Sequence, residues 1–237
     1  MKRFSFNDLW MMYKSGGYTL PLTYLAECWW FDVSRGVSTH HRMQTSEFLE
    51  SEIHKEHCVI YMSSWTSVIK ISTKQALIKL NLITDEAPIL VDVGSGKGKV
   101  LIAWAEDKFI SSKIKDIIGV EFSKKLFEIC KENLRRYKQK SITPKIFCSD
   151  ILDTNIMSFS SPYIFYMYNP FDEQIMKSFL SKLLYDFSDG RHFILIYNNP
   201  VHHDILLESG LEMIDSINHW HANGRVNYYS YPLMTND

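Results

Sequence analysis

The segment Asp92-Val93-Gly94-Ser95-Gly96-Lys97-Gly98 sets an acid just ahead of three glycines that fall within five positions. Glycine has no Cβ, so the backbone of such a loop can approach a ligand closely. The apolar run before it, residues 89–93, reads as a buried parallel strand. Residues 97–106 read as a helix that starts at the loop, so its first N–H groups face the same ligand. Asp92, at the strand's end, can accept hydrogen bonds from a cationic or N–H group. Two other glycine signatures fail here. The nucleotide loop G-x-x-x-x-G-K-[ST] needs a glycine five residues beyond Gly94, where Lys99 stands. The dinucleotide loop G-x-G-x-x-G needs its third glycine one residue later than Gly98.

Three further positions carry suitable chemistry. Glu121, closing the apolar run 117–121, can take both hydroxyls of a ribose, and Phe122 can cover an adenine face. Dinucleotide enzymes place an acid there too, so Glu121 alone does not discriminate. Asp150 follows the run 145–148, with Asp153 as a nearby competitor. Asn169-Pro170-Phe171 follows the run 163–168. An Asn oxygen and the adjacent carbonyl can orient an amino group, and the aromatic can pack on a planar acceptor or a developing cation.

These positions need a frame to hold them. Apolar spacing predicts a helix over 64–80, and Ser123 is placed to N-cap a helix running to about residue 137. Further helices are predicted over 172–185 and 203–209, with strands at 192–197, 211–217 and 227–231. Asn223-Gly224 marks the last turn. Strand and helix alternate five times before two strands come together. That order predicts an α/β fold: a Rossmann-like, seven-stranded, mostly parallel sheet with helices on both faces and an antiparallel last strand. Ligands of such sheets bind beyond the carboxyl ends of the strands, where the acids and glycines above all fall. Residues 1–60 hold neither period for long and are expected to form an N-terminal arm with short helices that folds over the main domain as a substrate cap.

From Asp92 to Gly98, through Gly119-Val120-Glu121 to Asp150, the chain resembles the class I S-adenosylmethionine-dependent methyltransferases in motif order and spacing. Residues 61–237 are then the methyltransferase domain. The resemblance implies S-adenosyl-L-methionine as cofactor, held by Asp92, Gly94, Ser95, Gly96, Gly98, Glu121, Phe122 and Asp150. The strings Gly36-Val37-Ser38-Thr39 and Tyr61-Met62-Ser63-Ser64-Trp65 are similar to a bacterial group whose substrate is poorly defined. The arm ahead of the glycine loop is reminiscent, in architecture only, of the Dot1-like lysine methyltransferases. Asn169-Pro170-Phe171 resembles the [DN]-P-P-[YF] motif of amino methyltransferases. It lacks the second proline, which speaks against a nucleic-acid base as acceptor. The implied catalytic residues are Asn169, Pro170 and Phe171, and the expected reaction is N-methylation of a protein or small-molecule amine. Two alternatives stand beside it. One is an O-methyltransferase using His202 or His203 as base, and the other is a regulatory protein that binds the cofactor without turnover. A nicotinamide oxidoreductase is more remote.

Bulk properties set the outer bounds. The 237 residues carry a net charge of −1, with 46% hydrophobic and 22% charged residues, ordinary for one globular domain with an extension. No strong nucleic-acid footprint appears, and the basic run 124–140 reads as a solvated helix face. No run reaches the ~20 apolar residues of a membrane span, and polar residues interrupt the N-terminus before any signal-peptide core. The four cysteines lie far apart, which suits reduced thiols in a cytoplasmic protein. Histidines at 54, 57, 219 and 221 raise zinc as a guess, but they lack a second matching pair, so no metal is expected. The order of assembly is not legible in the sequence.

Overall fold

The computed structural model describes residues 6–48, 60–138, 141–155, 161–218 and 224–231. The arm begins with α1 (Phe6–Gly16) and α2 (Thr19–Tyr24), runs through a π-helical turn at Leu25–Trp29, and continues as α3 (Trp30–Arg35). Gly36, with φ 65°, ends α3 in the left-handed conformation that glycine adopts without steric cost. A short α4 (Thr45–Phe48) follows. Apolar residues lie on more than one side of these helices: Trp10, Met11, Leu22 and Trp30 are exposed while Cys28 and Phe31 are buried. This arrangement, with a π turn that shifts the phase, is why no single helical period shows in the sequence.

Seven strands then form one sheet: β1 (Ile89–Val93), β2 (Asp116–Glu121), β3 (Lys145–Cys148), β4 (Tyr163–Tyr168), β5 (Phe193–Asn198), β6 (Glu212–Asn218) and β7 (Arg225–Tyr231). Their spatial order is β3-β2-β1-β4-β5-β7-β6. Neighbours from β3 to β5 pair in parallel, while β7 runs antiparallel to both β5 and β6. The expected fold class is the one observed. The strand order reverses between β1 and β4, and a crevice opens at such a point.

The main-domain helices are α5 (Thr66–Leu80), α6 (Lys99–Glu106), α7 (Lys108–Ser111), α8 (Lys124–Arg136), α9 (Glu173–Asp186) and α10 (His203–Glu208). Predicted boundaries fall within two residues of these, and only the single turn α7 has no predicted counterpart. Asp107 caps that turn by accepting from the Phe109 and Ile110 amides. As expected, Ser123 caps α8 through the Leu126 amide. Strand alternation divides the core in two. Leu90, Ile164, Ile194 and Ile196 pack with α5, α6 and α8, whereas Ile89, Val91, Phe165 and Leu195 pack with α9. Asp92 follows Leu90 at the next alternate position, so it lies on the α5–α6 side. No described helix is long and apolar enough to cross a membrane. Asn223 of the predicted turn lies outside the described residues, as do His54, His57, Cys58, His219 and His221.

The arm is fastened by ions. Glu106, at the end of α6, receives both Arg35 Nε (2.6 Å) and Nη2 (2.7 Å), Lys70 Nζ (2.8 Å) and the Tyr137 hydroxyl (3.1 Å). Burial resists charge on Glu106, but the hydrogen bonds from Arg35 and Lys70 hold its carboxyl below the ordinary range. Removing one member of such a network strands the others. Glu106→Ala is expected to lower the unfolding free energy, measured in urea, by roughly 3 kcal/mol. A loss below about 0.5 kcal/mol would show the network to be no more than a solvated ion pair.

Candidate functional site

The carboxyl ends of β1, β2 and β4 open into a cleft of about 180 Å³. Its floor is the glycine loop. Gly94, Gly96 and Gly98 have φ of 76°, 54° and 83°, all left-handed. A Cβ on Gly96 would lie 2.2 Å from Tyr61 Cε2, and one on Gly98 would lie 2.7 Å from Cys130 Sγ. The loop is pinned to β2 by Gly94 and Ser95 amides that donate to the Val120 carbonyl at 3.0 and 2.9 Å. Asn133 of α8 holds it from the other side, donating to the Lys97 carbonyl (2.9 Å) while accepting from the Ser38 amide (2.9 Å).

Two acids line the cleft side by side. Asp92 pairs across the sheet with Gly119 and Tyr166, and its Oδ2 is buried without a hydrogen-bond partner among the described residues. Burial, and then the charge of Glu121, push the Asp92 carboxyl well above its usual range. Glu121 accepts from the Gly96 amide at Oε2 and from the Ser123 amide at Oε1, both at 2.7 Å. Burial raises its pKa to about 7 even against those amides. Each carboxylate oxygen keeps a second lone pair, so a diol can still donate to Glu121. Phe122 and Asp150 line the same wall, and Asp150 Oδ1 accepts from the Leu152 amide at 2.9 Å. Asp153 does not line the cleft.

The structure therefore gathers Asp92, Gly94, Ser95, Glu121, Phe122 and Asp150 around one space, with Gly96 and Gly98 shaping the loop beneath. The turn after β4 is divided. Pro170 and Phe171 line the cleft, but Asn169 does not. Asn169 has φ 42°, and its Oδ1 accepts from the Tyr197 hydroxyl at 2.8 Å. The same hydroxyl accepts from the His202 amide at 3.4 Å, so it ties this turn to the matching Asn199 turn after β5. Asn198 is also absent from the lining; its Nδ2 donates to Tyr166. His202 Nε2 lies 3.2 Å from the Phe171 carbonyl and His203 Nδ1 lies 2.7 Å from the Tyr229 hydroxyl, both outside the lining.

Sequence reasoning gave no site role to Lys99, Tyr166, Tyr168 or Phe48, all of which line the cleft. Tyr166 and Tyr168 alternate along β4, a spacing that could have placed them on the face of Asp92. Lys99 opens α6 yet is buried, a cost lysine rarely bears without a partner. Phe48 and Ile60 come to the cleft rim from the first 60 residues, and residues 61–64 continue it. Tyr61 packs on Gly96, donates to the Thr39 carbonyl at 2.8 Å and carries Lys97 Nζ 4.7 Å from its ring centre.

No family model matches this chain, and a search of curated proteins finds no match. Solved structures do match in fold. Sp1610 of Streptococcus pneumoniae, a candidate tRNA (m1A22) methyltransferase solved with S-adenosyl-L-methionine, superposes with TM-score 0.51 at 14% identity, over 69% of this chain and 71% of that one. Magnesium protoporphyrin IX methyltransferase from Synechocystis PCC 6803 gives TM-score 0.49 at 12% identity, over 70% and 77%. The first of these supports the Rossmann-like fold already described.

The raised Glu121 pKa sets a pH dependence. Between its ordinary 4.5 and about 7, the folded chain holds a proton that the unfolded chain releases. The Glu121 contribution to stability therefore falls as pH rises through that window, by up to roughly 3 kcal/mol, and Asp92, whose carboxyl is also raised, adds a fall of the same sign. The carboxyls of Asp32 and Glu106 are lowered, so they act below this window. Urea unfolding at pH 5 and pH 8, compared with Glu121→Gln, isolates the effect. Equal slopes in the two proteins would overturn the assignment to Glu121.

Proposed function

We propose that this chain is a class I methyltransferase that uses S-adenosyl-L-methionine. The observation that carries the reading is the buried, unpartnered Oδ2 of Asp92, beside Glu121 and above a left-handed glycine loop. A buried carboxylate without a partner is costly, and a cationic ligand offsets that cost. In this reading Asp92 binds the ammonium of the cofactor's amino-acid tail and Glu121 takes the ribose hydroxyls. Phe122 and Asp150 hold the adenine ring and its amino group. When bound, the cofactor supplies an electrophilic methyl group on a sulfonium.

The remaining work is done by the chain's own residues. Tyr168, Pro170 and Phe171 form the wall past which an acceptor enters, and Phe48 and Ile60 of the arm cap the cleft beside residues 61–64. That arrangement supports the assignment of residues 1–60 as a cap on a domain spanning 61–237. A neutral amine needs its lone pair aligned and no base in the transition state, so positioning is enough. Among the described lining residues there is no histidine to act as base for a hydroxyl, which favours nitrogen as the acceptor atom. Asn169 serves that wall from behind: its bond to Tyr197 fixes the turn that presents Pro170 and Phe171. The acceptor is an amine on a protein or a small molecule.

Calorimetry tests the cofactor. The protein is expected to bind S-adenosylhomocysteine and not NAD. Asp92→Asn removes one charge-assisted contact and is expected to weaken that binding by about ten- to hundredfold. Binding of NAD alone, or equal affinity in the variant, would sink the reading.

A further inference from the structure

Lys99 is the first residue of α6 and is 2% exposed. Its ammonium donates to the Glu27 carbonyl at 2.8 Å and to Cys28 Sγ at 3.3 Å, and lies 5.1 Å from the Phe31 ring centre. None of these is an anion, and Lys99 forms no ion pair with any described residue. It is also the one lysine or arginine among the described residues that line the cleft, where Asp92, Glu121 and Asp150 supply three acids. A buried ammonium held only by neutral acceptors has the same unmet electrostatic demand as the Asp92 carboxylate, with the opposite sign.

The π turn explains how it stays there. In a π turn the backbone hydrogen bonds reach one residue further than in an α-helix, and such turns gather at functional sites. Here Leu25–Trp29 presents the Glu27 carbonyl to two donors at once, Lys99 Nζ and the Thr66 hydroxyl (2.7 Å). The Glu27 carboxylate is occupied elsewhere, accepting from the Ser67 amide at 2.8 Å. The arm thus steers the lysine head while leaving its charge uncompensated. The first turn of α6 carries no acidic residue and its cap, Gly98, offers no side chain, so the positive helix end adds to the same field.

From this we infer that Lys99 is the carboxylate-binding residue for the cofactor's amino-acid tail, opposite Asp92 as the ammonium-binding one. An α-amino acid presents one group of each sign on the same carbon. The cleft presents one unpartnered carboxylate oxygen at the end of β1 and one unneutralised ammonium at the start of α6, with the glycine loop between them. The inference rests on the proposed cofactor. It adds that the arm sets cofactor affinity through Glu27 and Lys99, although neither Glu27 nor Cys28 lines the cleft.

The test uses the full chain and two ligands, S-adenosylmethionine and its decarboxylated form, which lacks the carboxylate alone. The wild-type protein is expected to prefer the intact ligand by at least about tenfold. In Lys99→Met that ligand is expected to weaken by at least about tenfold while the decarboxylated one stays within about threefold, so the preference collapses. Lys99→Arg, which keeps the charge, is expected to retain it. The ratio of two affinities on one preparation does not depend on how much of the protein is folded. An unchanged ratio in Lys99→Met overturns the inference, and so does equal weakening of both ligands, which marks a structural role. If the wild-type protein binds neither ligand, the cofactor assignment itself fails.

Discussion

Two carboxyl groups are kept out of water at the carboxyl ends of two neighbouring interior strands, β1 and β2. Glu121 leans on backbone amides and Asp92 leaves one oxygen without a partner. Much of the local architecture follows from that constraint. The amides that face Glu121 come from Gly96 and Ser123, so the loop after β1 must fold back toward β2, and it does so through left-handed glycines. Gly119, opposite Asp92, leaves no room for a side chain: a Cβ there would meet Leu101 at 2.7 Å. Burial raises the proton affinity of both acids, and the charge of Glu121 raises that of Asp92 further. Both therefore favour the protonated form, and a cation beside them would offset the cost of ionising them.

The arm is joined to this arrangement at several points and does not simply lie on it. Glu106 anchors its outer end through Arg35. Asn133 bridges residue 38 to the glycine loop, and the Tyr61 ring fills the space beside Gly96. Within the arm, Asp32 takes hydrogen bonds from the Thr39 and His40 amides, the Thr39 hydroxyl and the His40 ring. Burial opposes its charge, yet those bonds keep its carboxyl below the ordinary range. The Asp32 carboxylate therefore holds the chain reversal after Gly36 rigidly enough for Thr39 and His41 to receive Tyr61 and Lys97.

The sheet and the acidic side of the cleft were legible in the sequence for one reason. Buried parallel strands are short apolar runs, and the residues after them are polar or glycine by necessity. That rule points to acids at or just beyond the strand ends, Asp92, Glu121 and Asp150, and the resemblance to class I methyltransferases favoured Asp150 over Asp153. The arm was harder to read because its helices carry Trp10, Met11 and Trp30 toward solvent, and because a π turn breaks the 3.6-residue phase. Asn169 shows the limit of reading a side chain from its position. It follows a strand, as expected, but its left-handed backbone turns its oxygen to Tyr197 and leaves the cleft wall to Pro170 and Phe171. Lys99 was missed because a lysine beside a glycine loop looks like a solvated helix start. Only the fold shows that the arm closes over it.

The position of β7 carries a consequence for biosynthesis. The strand lies between β5 and β6 and is antiparallel to both, and β6 has no other strand partner among the described residues. While the chain emerges from the ribosome, β1 to β5 can pair as each is made, but β6 appears before the strand it needs. The edge of β5 and the whole of β6 stay unpaired until residue 231 is released. At ~5–20 residues per second, the gap between finishing β6 and finishing β7 is on the order of a second. During that interval the nascent chain displays two open strand edges that carry Ile194, Ile196, Ile214 and Ile217, and these invite pairing with other chains. Chaperone dependence and aggregation in the cell should track that pause more closely than the equilibrium stability of the finished sheet.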